Sequence, residues 1–373
     1  MKIFIRFIIF LLIFSIFSSH LTVYATSSND LSISAKSACL IDADSGKVLY
    51  SKNSHKQMPM ASTTKVMTAI IALEASTPLS KEICVSKEAV GVEGSSIYLL
   101  EGEKITLEAL LYALLLSSAN DAAIAIAIAI CGNVEDFVSL MNKKASSLGL
   151  TNTHFVNPHG LYDENHYTTA YDLARLMAYA VKNPTFVEIS GCAKKVFPKG
   201  ENDIRVLINH NKLLSIYDNI IAGKTGYTKK SGRCLVSAAL RDNLKLIVVT
   251  LDAPNDWNDH KSLYNFGFDN YTRIVFDVLT FDLAVIGGKS NSVTISSNNK
   301  ASFLIFKSNS QIKSITKCPR FLFANVNKGD IVGQVQYFYN GKLIFCTPLV
   351  AHETVEQIKY RFNLFEFLKE LLF

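Results

Sequence analysis

Three short polar motifs follow one another along the chain and together hold the groups needed for nucleophilic catalysis. They are Ser62-Thr63-Thr64-Lys65, Ser118-Ala119-Asn120 and Lys224-Thr225-Gly226. A serine hydroxyl is a weak nucleophile until a neighbouring base takes its proton, and an amine of lowered pKa can be that base. The motifs therefore indicate covalent catalysis with a serine as the attacking group.

The first motif places Ser62 and Lys65 three residues apart near the start of a predicted helix. Apolar residues recur at helical spacing over 60–75, and Pro59 stands just before them, which is typical of a first helical turn. Side chains three residues apart share one helix face with Cβ atoms ~5–6 Å apart, so the amine can reach the hydroxyl. The same four-residue pattern recurs in a β-rich region, at 310–313 and 314–317. Only the helical context distinguishes the first copy.

A lysine that acts as a base must be uncharged for part of the time, and the ordinary lysine pKa of ~10.4 is too high for this. Two features can lower the pKa of Lys65. One is the positive end of the helix dipole, and the other is a second cation nearby, for which Lys224 is the candidate. We therefore predict Lys65 as the general base and Lys224 as its cationic neighbour.

The second motif lies between a leucine-rich stretch and an alanine-rich helix, where polar side chains can point into a cleft. We predict that Ser118 relays a proton to the leaving amine, and that Asn120 holds both Lys65 and a substrate amide. Ser-Ala-Asn-Asp is also an acceptable turn and helix N-cap. Taken alone, this motif leaves that structural alternative open.

The third motif is predicted at a strand edge, bracketed by Gly223 and Gly226. Glycine at such an edge lets another backbone approach closely, and we expect that backbone to be the substrate's. Lys224 and Thr225 offer a charge and a hydroxyl to a substrate carboxylate. His154 and His159 are expected to be structural, because a lysine base makes a histidine unnecessary.

Strand and helix patterns surround these motifs. Hairpins are predicted over 37–50 and 235–251, and helices over 107–130, 134–147 and 169–181. Strands at both ends with helices between them fit one antiparallel sheet covered by helices. After Tyr271 short β-rich runs alternate with turns, and Asn340-Gly341 is a strong hairpin signal. We therefore predict a small all-β domain over 271–352.

Composition excludes several classes of protein. The 373 residues are 49% hydrophobic and 19% charged, which argues against a disordered chain. A net charge of +6 suits an anionic cell surface and is too small to indicate nucleic-acid binding. The seven cysteines are scattered without C-x-x-C spacing or neighbouring histidine clusters, so we expect neither a metal site nor a cofactor.

Both ends of the chain have the patterns of targeting segments. Residues 1–25 combine early basic residues, an apolar run and a small-residue cleavage site, which predicts a secretory signal peptide; an uncleaved anchor is the alternative. Residues 353–373 are predicted to form an amphipathic helix that lies in the membrane plane. Docking of this helix on its own domain is the alternative. The mature protein is thus expected at the outer face of the cytoplasmic membrane or in the cell wall.

The three motifs in this order resemble those of penicillin-binding proteins and class A β-lactamases. Essentially the whole chain is similar to the low-molecular-mass penicillin-binding proteins, which are serine-type D-alanyl-D-alanine carboxypeptidases, and 153–161 and 223–228 share further detail. The resemblance implies a β-lactamase/transpeptidase-like α/β (α+β) domain over 29–270. The predicted all-β domain and the terminal amphipathic helix would follow it.

The resemblance also implies the reaction. Ser62 would attack the carbonyl between two terminal D-alanines of a peptidoglycan stem pentapeptide, form an acyl-enzyme and release D-alanine, after which water hydrolyses the ester. Backbone N–H groups of Ser62 and Tyr227 would form the oxyanion hole. β-Lactam antibiotics would inhibit the enzyme by acylating Ser62.

Two departures from related enzymes qualify this interpretation. Ala119 stands where a β-lactamase carries aspartate, and the deacylating Glu-x-x-Leu-Asn segment is missing, so a fast β-lactamase is the weaker interpretation. Several relatives hold the substrate carboxylate with an arginine, but 258–260 here reads Asn-Asp-His. Arg233 is the nearest substitute.

Two rival functions stay open. One is an endopeptidase that cuts peptide cross-links, and the other is a non-catalytic wall-binding protein with the same fold. The presence of Ser62, Lys65 and Lys224 disfavours the second, because a catalytically dead relative is expected to lose one of them.

Overall fold

A computed structural model describes residues 31–199, 203–307 and 311–359. The predicted signal peptide, at 1–25, lies outside the described residues. The α-helices are, in chain order, α1 (Lys65–Glu74), α2 (Leu107–Leu115), α3 (Asn120–Cys131), α4 (Val134–Ser147), α5 (Ala170–Ala180), α6 (Pro184–Gly191), α7 (Leu213–Ile216) and α8 (Asp256–Asn270).

The β-strands follow the chain in the same way. They are β1 (Ser37–Asp42), β2 (Val48–Lys52), β3 (Glu82–Cys84), β4 (Lys104–Thr106), β5 (Lys194–Pro198), β6 (Ile204–Ile208), β7 (Ile220–Thr228), β8 (Gly232–Arg241), β9 (Leu244–Leu251), β10 (Tyr271–Phe276), β11 (Thr280–Ile286), β12 (Ser292–Ser297), β13 (Ala301–Phe306), β14 (Ile312–Lys317), β15 (Phe321–Phe323), β16 (Ile331–Tyr339) and β17 (Lys342–Ala351).

A five-stranded antiparallel sheet in the order β2-β1-β9-β8-β7 forms the centre of the first part of the chain. Both predicted hairpins are present, as β1–β2 and β8–β9. The pairing of β1 with β9 places Leu40 opposite Val248, both fully buried. Strand β7, which carries the third motif, lies at the sheet edge and leaves one side open to other elements.

Helices cover this sheet, and their ends follow from local side-chain chemistry. The side chain of Thr106 caps α2, that of Asn133 caps α4 and that of Thr169 caps α5, each by accepting a backbone N–H bond. The helical segment predicted over 107–130 is two helices, because Ser118 adopts a left-handed φ of 59° between α2 and α3. A continuous α-helix cannot contain that conformation.

Helix α8 was not predicted from the sequence. Its buried face carries Asp256, Asp259 and His260 beside Leu263, Tyr264 and Phe268, so no apolar periodicity reveals it. The Asp259 carboxylate accepts bonds from the backbone of Ser34 and Ala35. The segment before β1 therefore supplies the hydrogen-bond partners that this buried carboxylate requires.

The last described part of the chain is all β, as predicted. A six-stranded sheet in the order β14-β16-β17-β12-β11-β15 lies beside the pair β10–β13. Asn340 and Gly341, with φ values of 49° and 80°, make the predicted tight turn between β16 and β17. The guanidinium of Arg273 on β10 donates to both carboxylate oxygens of Asp42 on β1. This contact connects the β10–β13 pair to the five-stranded sheet. The predicted fold class is confirmed.

The predicted terminal helix over 353–373 is only partly within the described residues. Its first residues are not helical: Val355 bridges Val326 and Gln357 bridges Gly288. Burial of Val355 in the β core keeps this stretch extended against the sheet. Residues 360–373 lie outside the described residues, so the helix there stays a prediction.

Within the described ranges no single helix has the length and apolar composition of a membrane span. Helices α3 and α4 reach that length and composition only as a pair, and they are bent by 87° at the break between them. In those same ranges no group of His, Cys, Asp and Glu side chains is arranged to hold a metal ion.

Candidate active site

Ser62 lies in a 3-10 turn, Ala61–Thr64, that leads directly into α1. Ala61 has a left-handed φ of 47°, so the chain turns sharply just before the serine. Gly226 of β7 packs against this turn, since a Cβ atom at that position would lie 2.9 Å from the backbone nitrogen of Ser62. The first and third motifs therefore contact each other directly.

Lys65, at the start of α1, is fully buried and its Nζ atom has three oxygen neighbours. They are Oγ of Ser62 at 2.9 Å, Oδ1 of Asn120 at 2.6 Å and the backbone oxygen of His159 at 2.7 Å. The helical spacing correctly predicted the first contact. The contact with Asn120 was also predicted, whereas the carbonyl of His159 was not.

Burial lowers the pKa of Lys65 well below its usual value, and the positive charge of Lys224 lowers it further, while Asp121 opposes both. Burial also lowers the pKa of Lys224 to about 7. Desolvation disfavours the charged form of an amine, so both lysines lose a proton more readily than an exposed lysine does. The sequence pointed to the helix dipole and to Lys224 as causes of the lowered pKa of Lys65, but burial lowers this pKa more than Lys224 does.

The second motif occupies the junction between α2 and α3. Ser118 faces the cleft described below, and its left-handed φ of 59° directs the chain from one helix into the next. The Asn120 side chain donates from Nδ2 to the carbonyl of Glu93 at 2.6 Å, in addition to accepting from Lys65. One hydrogen of this amide is therefore used within the protein.

The third motif runs along edge strand β7. Lys224 is buried and donates to its neighbour's carbonyl, that of Thr225, at 2.9 Å. Thr225 and Gly226 face the cleft. The turn that carries Ser62 fills the space beside Gly226. At Gly223, a Cβ atom would lie 2.4 Å from the side-chain nitrogen of Asn211. Both glycines are thus explained by approach of the protein's own atoms rather than by substrate.

These residues open onto a cleft of about 560 Å³. Its lining includes six of the predicted site residues, which are Ser62, Ser118, Thr225, Gly226, Tyr227 and Arg233. The sequence missed the rest of the wall, which comprises Ser95, Asn209, His210, Lys212, Asp256 and Trp257. None of these belongs to a short motif, so no sequence signal marked them.

Arg233 lies on β8 opposite Tyr227 of β7. Its guanidinium donates to Oδ1 of buried Asp256 at 2.7 Å and stands 5.4 Å from the ring centre of Trp257. The side chain is still 41% exposed. Arg233 is therefore fixed in the cleft wall with part of its surface free for a ligand.

The loop between β3 and β4 carries Ser95, which also lines the cleft. The carboxylate of buried Asp121 accepts bonds from Oγ of Ser96 and from the backbone nitrogens of Ile97 and Leu99. The backbone nitrogen of Asn120 donates to the carbonyl of Ser95 at 2.7 Å. Asp121, directly after the second motif, thus holds the loop that brings Ser95 to the cleft.

An antiparallel sheet covered by helices, with a serine and a buried lysine facing a Lys-Thr-Gly edge strand, defines the class of the serine penicillin-binding enzymes. Comparisons with known proteins narrow this class. Residues 23–255 match the family described as D-alanyl-D-alanine carboxypeptidase. Residues 280–357 match the C-terminal domain of penicillin-binding protein 5. The chain belongs to the D-alanyl-D-alanine carboxypeptidase family.

Individual relatives agree with this assignment. The chain is 32% identical over 341 residues to D-alanyl-D-alanine carboxypeptidase DacF of Bacillus subtilis (strain 168), covering 88% of each sequence. It is 33% identical over 347 residues to DacC of Escherichia coli (strain K12), covering 87% of this chain and 85% of the relative. The crystal structure of penicillin-binding protein 5 from Haemophilus influenzae superposes with a TM-score of 0.69 at 28% identity, covering 87% and 98%.

Proposed function

We propose that this protein removes the terminal D-alanine from peptidoglycan stem pentapeptides through an acyl-enzyme on Ser62. The observation that carries the proposal is the 2.9 Å separation of Lys65 Nζ and Ser62 Oγ at the base of an open cleft. Membership of the carboxypeptidase family supplies the substrate class.

The three oxygen neighbours of Lys65 can satisfy a charged ammonium with its three donors, and they also satisfy a neutral amine when the Ser62 hydroxyl donates to it. A neutral amine has two hydrogens and one lone pair, and it has three oxygen neighbours here. The two hydrogens go to Asn120 and to the carbonyl of His159, which leaves the lone pair for the hydroxyl hydrogen of Ser62. Lys65 is thus ready to accept the proton that Ser62 loses on attack.

In acylation, Ser62 Oγ bonds to the carbonyl carbon of the scissile peptide and its proton moves to Lys65. The backbone N–H groups of Ser62 and Tyr227 stabilise the negative oxygen of the tetrahedral intermediate. Ser118 relays a proton to the departing amine of D-alanine as the C–N bond breaks. Water then attacks the ester, and Ser62 recovers its proton as the shortened peptide leaves.

Substrate is held along the edge strand. The hydroxyl of Thr225 and the guanidinium of Arg233 bind the terminal carboxylate, because charge-assisted bonds are the strongest available to it. In its protonated form, which prevails below the folded pKa of about 7, Lys224 adds positive charge beside them. The second hydrogen of the Asn120 side-chain amide binds a backbone carbonyl of the substrate. Penicillin acylates Ser62 as a mimic of the terminal dipeptide.

The protein acts after export, at the outer face of the cytoplasmic membrane or in the cell wall. A signal peptide at 1–25 and an in-plane helix within 353–373 would provide export and attachment. Because Val355 is buried in the β domain, attachment is tested by deleting 360–373 only. Release of the shortened protein from membranes supports the anchor, and unchanged membrane association contradicts it.

The function is tested by D-alanine release from a stem pentapeptide and by labelling with a fluorescent penicillin. Ser62→Ala is expected to abolish both. Ser314→Ala is the matched control, since Ser314 and Lys317 repeat the Ser-x-x-Lys spacing in strand β14; it should keep full activity. Labelling that survives Ser62→Ala would contradict the assignment. Cleavage of cross-linked peptides without D-alanine release would identify an endopeptidase instead.

A further inference from the structure

A buried row of hydrogen bonds ends at the residue that precedes Ser62. The backbone nitrogen of Val156 donates to Nδ1 of His166 at 3.0 Å. Nε2 of His166 lies 2.7 Å from Oγ1 of Thr64, and this hydroxyl donates to the carbonyl of Ala61 at 2.8 Å. None of these side chains lines the cleft, and the proposed mechanism does not use them.

The direction of each bond in this row is fixed. The Thr64 hydroxyl has one hydrogen, which goes to Ala61, so it must accept from Nε2–H of His166. Nδ1 must then be the unprotonated nitrogen, because it accepts from Val156. Only the neutral Nε2–H form of His166 satisfies both contacts.

The charge state of His166 agrees with this arrangement. Burial lowers its pKa to about 4, Asp163 raises it, and His154 and Lys65 lower it. His166 is therefore neutral at neutral pH, and it is 2% exposed. A neutral, buried and fully bonded histidine holds one orientation, and so does the threonine it contacts.

The peptide plane between Ala61 and Ser62 needs such support. Ala61 has a left-handed φ of 47°, a backbone conformation that is unfavourable for alanine by ~1–2 kcal/mol. Gly160 packs against the same carbonyl, since a Cβ atom there would lie 2.0 Å from the oxygen of Ala61. Because a peptide unit is planar, fixing the Ala61 oxygen also fixes the direction of the Ser62 N–H.

We propose that His166 and Thr64 are positioning residues, which hold the Ala61–Ser62 peptide so that the Ser62 N–H points at the developing oxyanion. The inference rests on the proposed function, because it assumes the Ser62 N–H to be an oxyanion donor. Neither residue touches the substrate, and both act through the peptide bond before the nucleophile.

Thr64→Val removes the hydroxyl while keeping the side-chain shape, and Thr64→Ser keeps the hydroxyl. Thr250→Val is the matched control, because Thr250 Oγ1 is also buried against a histidine, at 3.1 Å from Nε2 of His260, without contacting the turn of Ser62. The readouts are kcat and KM for D-alanine release and the rate constant for penicillin acylation.

Thr64→Val is expected to lower kcat and the acylation rate constant at least tenfold with little change in KM, since an oxyanion donor acts in the transition state. Thr64→Ser and Thr250→Val should stay within twofold of the wild type. Equal losses in Thr64→Val and Thr250→Val, or no loss in Thr64→Val, would overturn the proposal.

A pair of histidine variants decides the question if Thr64→Val does not fold. His166→Gln can still donate to Thr64 from a position near Nε2, whereas His166→Asn is too short. The glutamine variant is expected to retain at least fivefold more kcat than the asparagine variant at equal thermal stability, and equal kcat would overturn the proposal. Wild-type protein that fails to release D-alanine would instead contradict the proposed function itself.

Discussion

The backbone nitrogen of Ser62 and the α-carbon of Gly226 face each other so closely that a Cβ atom on residue 226 would stand 2.9 Å from that nitrogen. Such a separation is too short for a real side-chain atom. The glycine of the third motif thus fixes how near the edge strand can come to the nucleophile. The two N–H groups proposed for the oxyanion hole, on Ser62 and Tyr227, depend on this approach.

Gly226→Ala is therefore expected to displace the turn of Ser62 and to lower the penicillin acylation rate constant at least tenfold. Gly46→Ala is the comparison, because a Cβ there meets nothing within 4 Å while its φ of +70° disfavours alanine by ~1–2 kcal/mol. That variant should lose stability and keep its acylation rate. Stopped-flow acylation together with urea unfolding separates the two effects; normal acylation by Gly226→Ala would refute the close-approach argument.

Arg233 is expected to bind the substrate carboxylate, so Arg233→Met should raise KM for the pentapeptide about tenfold or more, as loss of a charged hydrogen bond of ~1.5–3 kcal/mol implies. It also leaves the buried Asp256 carboxylate without its cation, which destabilises the fold. The double variant Arg233→Met/Asp256→Asn should regain stability without regaining affinity. Steady-state kinetics and thermal unfolding test this, and an unchanged KM in Arg233→Met would remove Arg233 from the carboxylate site.

Asp121→Asn is expected to have two separate effects. It replaces a carboxylate that accepts from Ile97 and Leu99, so the loop beside the cleft should loosen, with a loss of ~1.5–3 kcal/mol. It also removes the charge that raises the pKa of Lys65, so the acid limb of the pH–rate profile should move to lower pH. Asp136→Asn, at the exposed start of α4, is the control; an acid limb that stays in place or moves to higher pH would contradict the electrostatic role.

Lys224 should make stability depend on pH in a defined window. Its folded pKa of about 7 lies below the unfolded value of 10.5, so between these values the unfolded chain holds a proton that the folded chain lacks. Stability then rises with pH through this window, by at most ~1.4 kcal/mol per pH unit. Unfolding free energies at pH 7 and 9 should show a steeper rise in wild type than in Lys224→Met, while exposed Lys313→Met should follow wild type. Parallel curves for wild type and Lys224→Met would show that Lys224 is charged when folded.

Local sequence patterns predicted much of this molecule. The three-residue spacing of Ser62 and Lys65 predicted their contact, and Asn340-Gly341 predicted a turn that the structure contains. These features succeed because helical geometry and turn conformation depend on neighbouring residues. The central sheet followed from the hairpins predicted at the two ends of the first domain, and their strands β1 and β9 pair with each other in the structure.

Features that depend on distant partners could not be predicted in this way. Helix α8 buries Asp259 and His260 because Ser34 and Ser237 supply their hydrogen bonds, and no local pattern records such partners. Asn209, His210 and Lys212 reach the cleft wall through tertiary packing alone. The main cause of the lowered pKa of Lys65, its burial, could not be predicted either, because desolvation depends on all the atoms that surround the amine.

The central claim is that Lys65 is uncharged when it takes the proton of Ser62, and its amine can be titrated directly. In protein labelled with carbon-13 at the lysine ε-carbons, the Lys65 signal is assigned by its loss in Lys65→Arg. We expect it to titrate well below the ordinary lysine range, at the same pH as the acid limb of penicillin acylation. Titration of Lys65 at the ordinary lysine pKa, with acylation already complete at lower pH, would contradict the account.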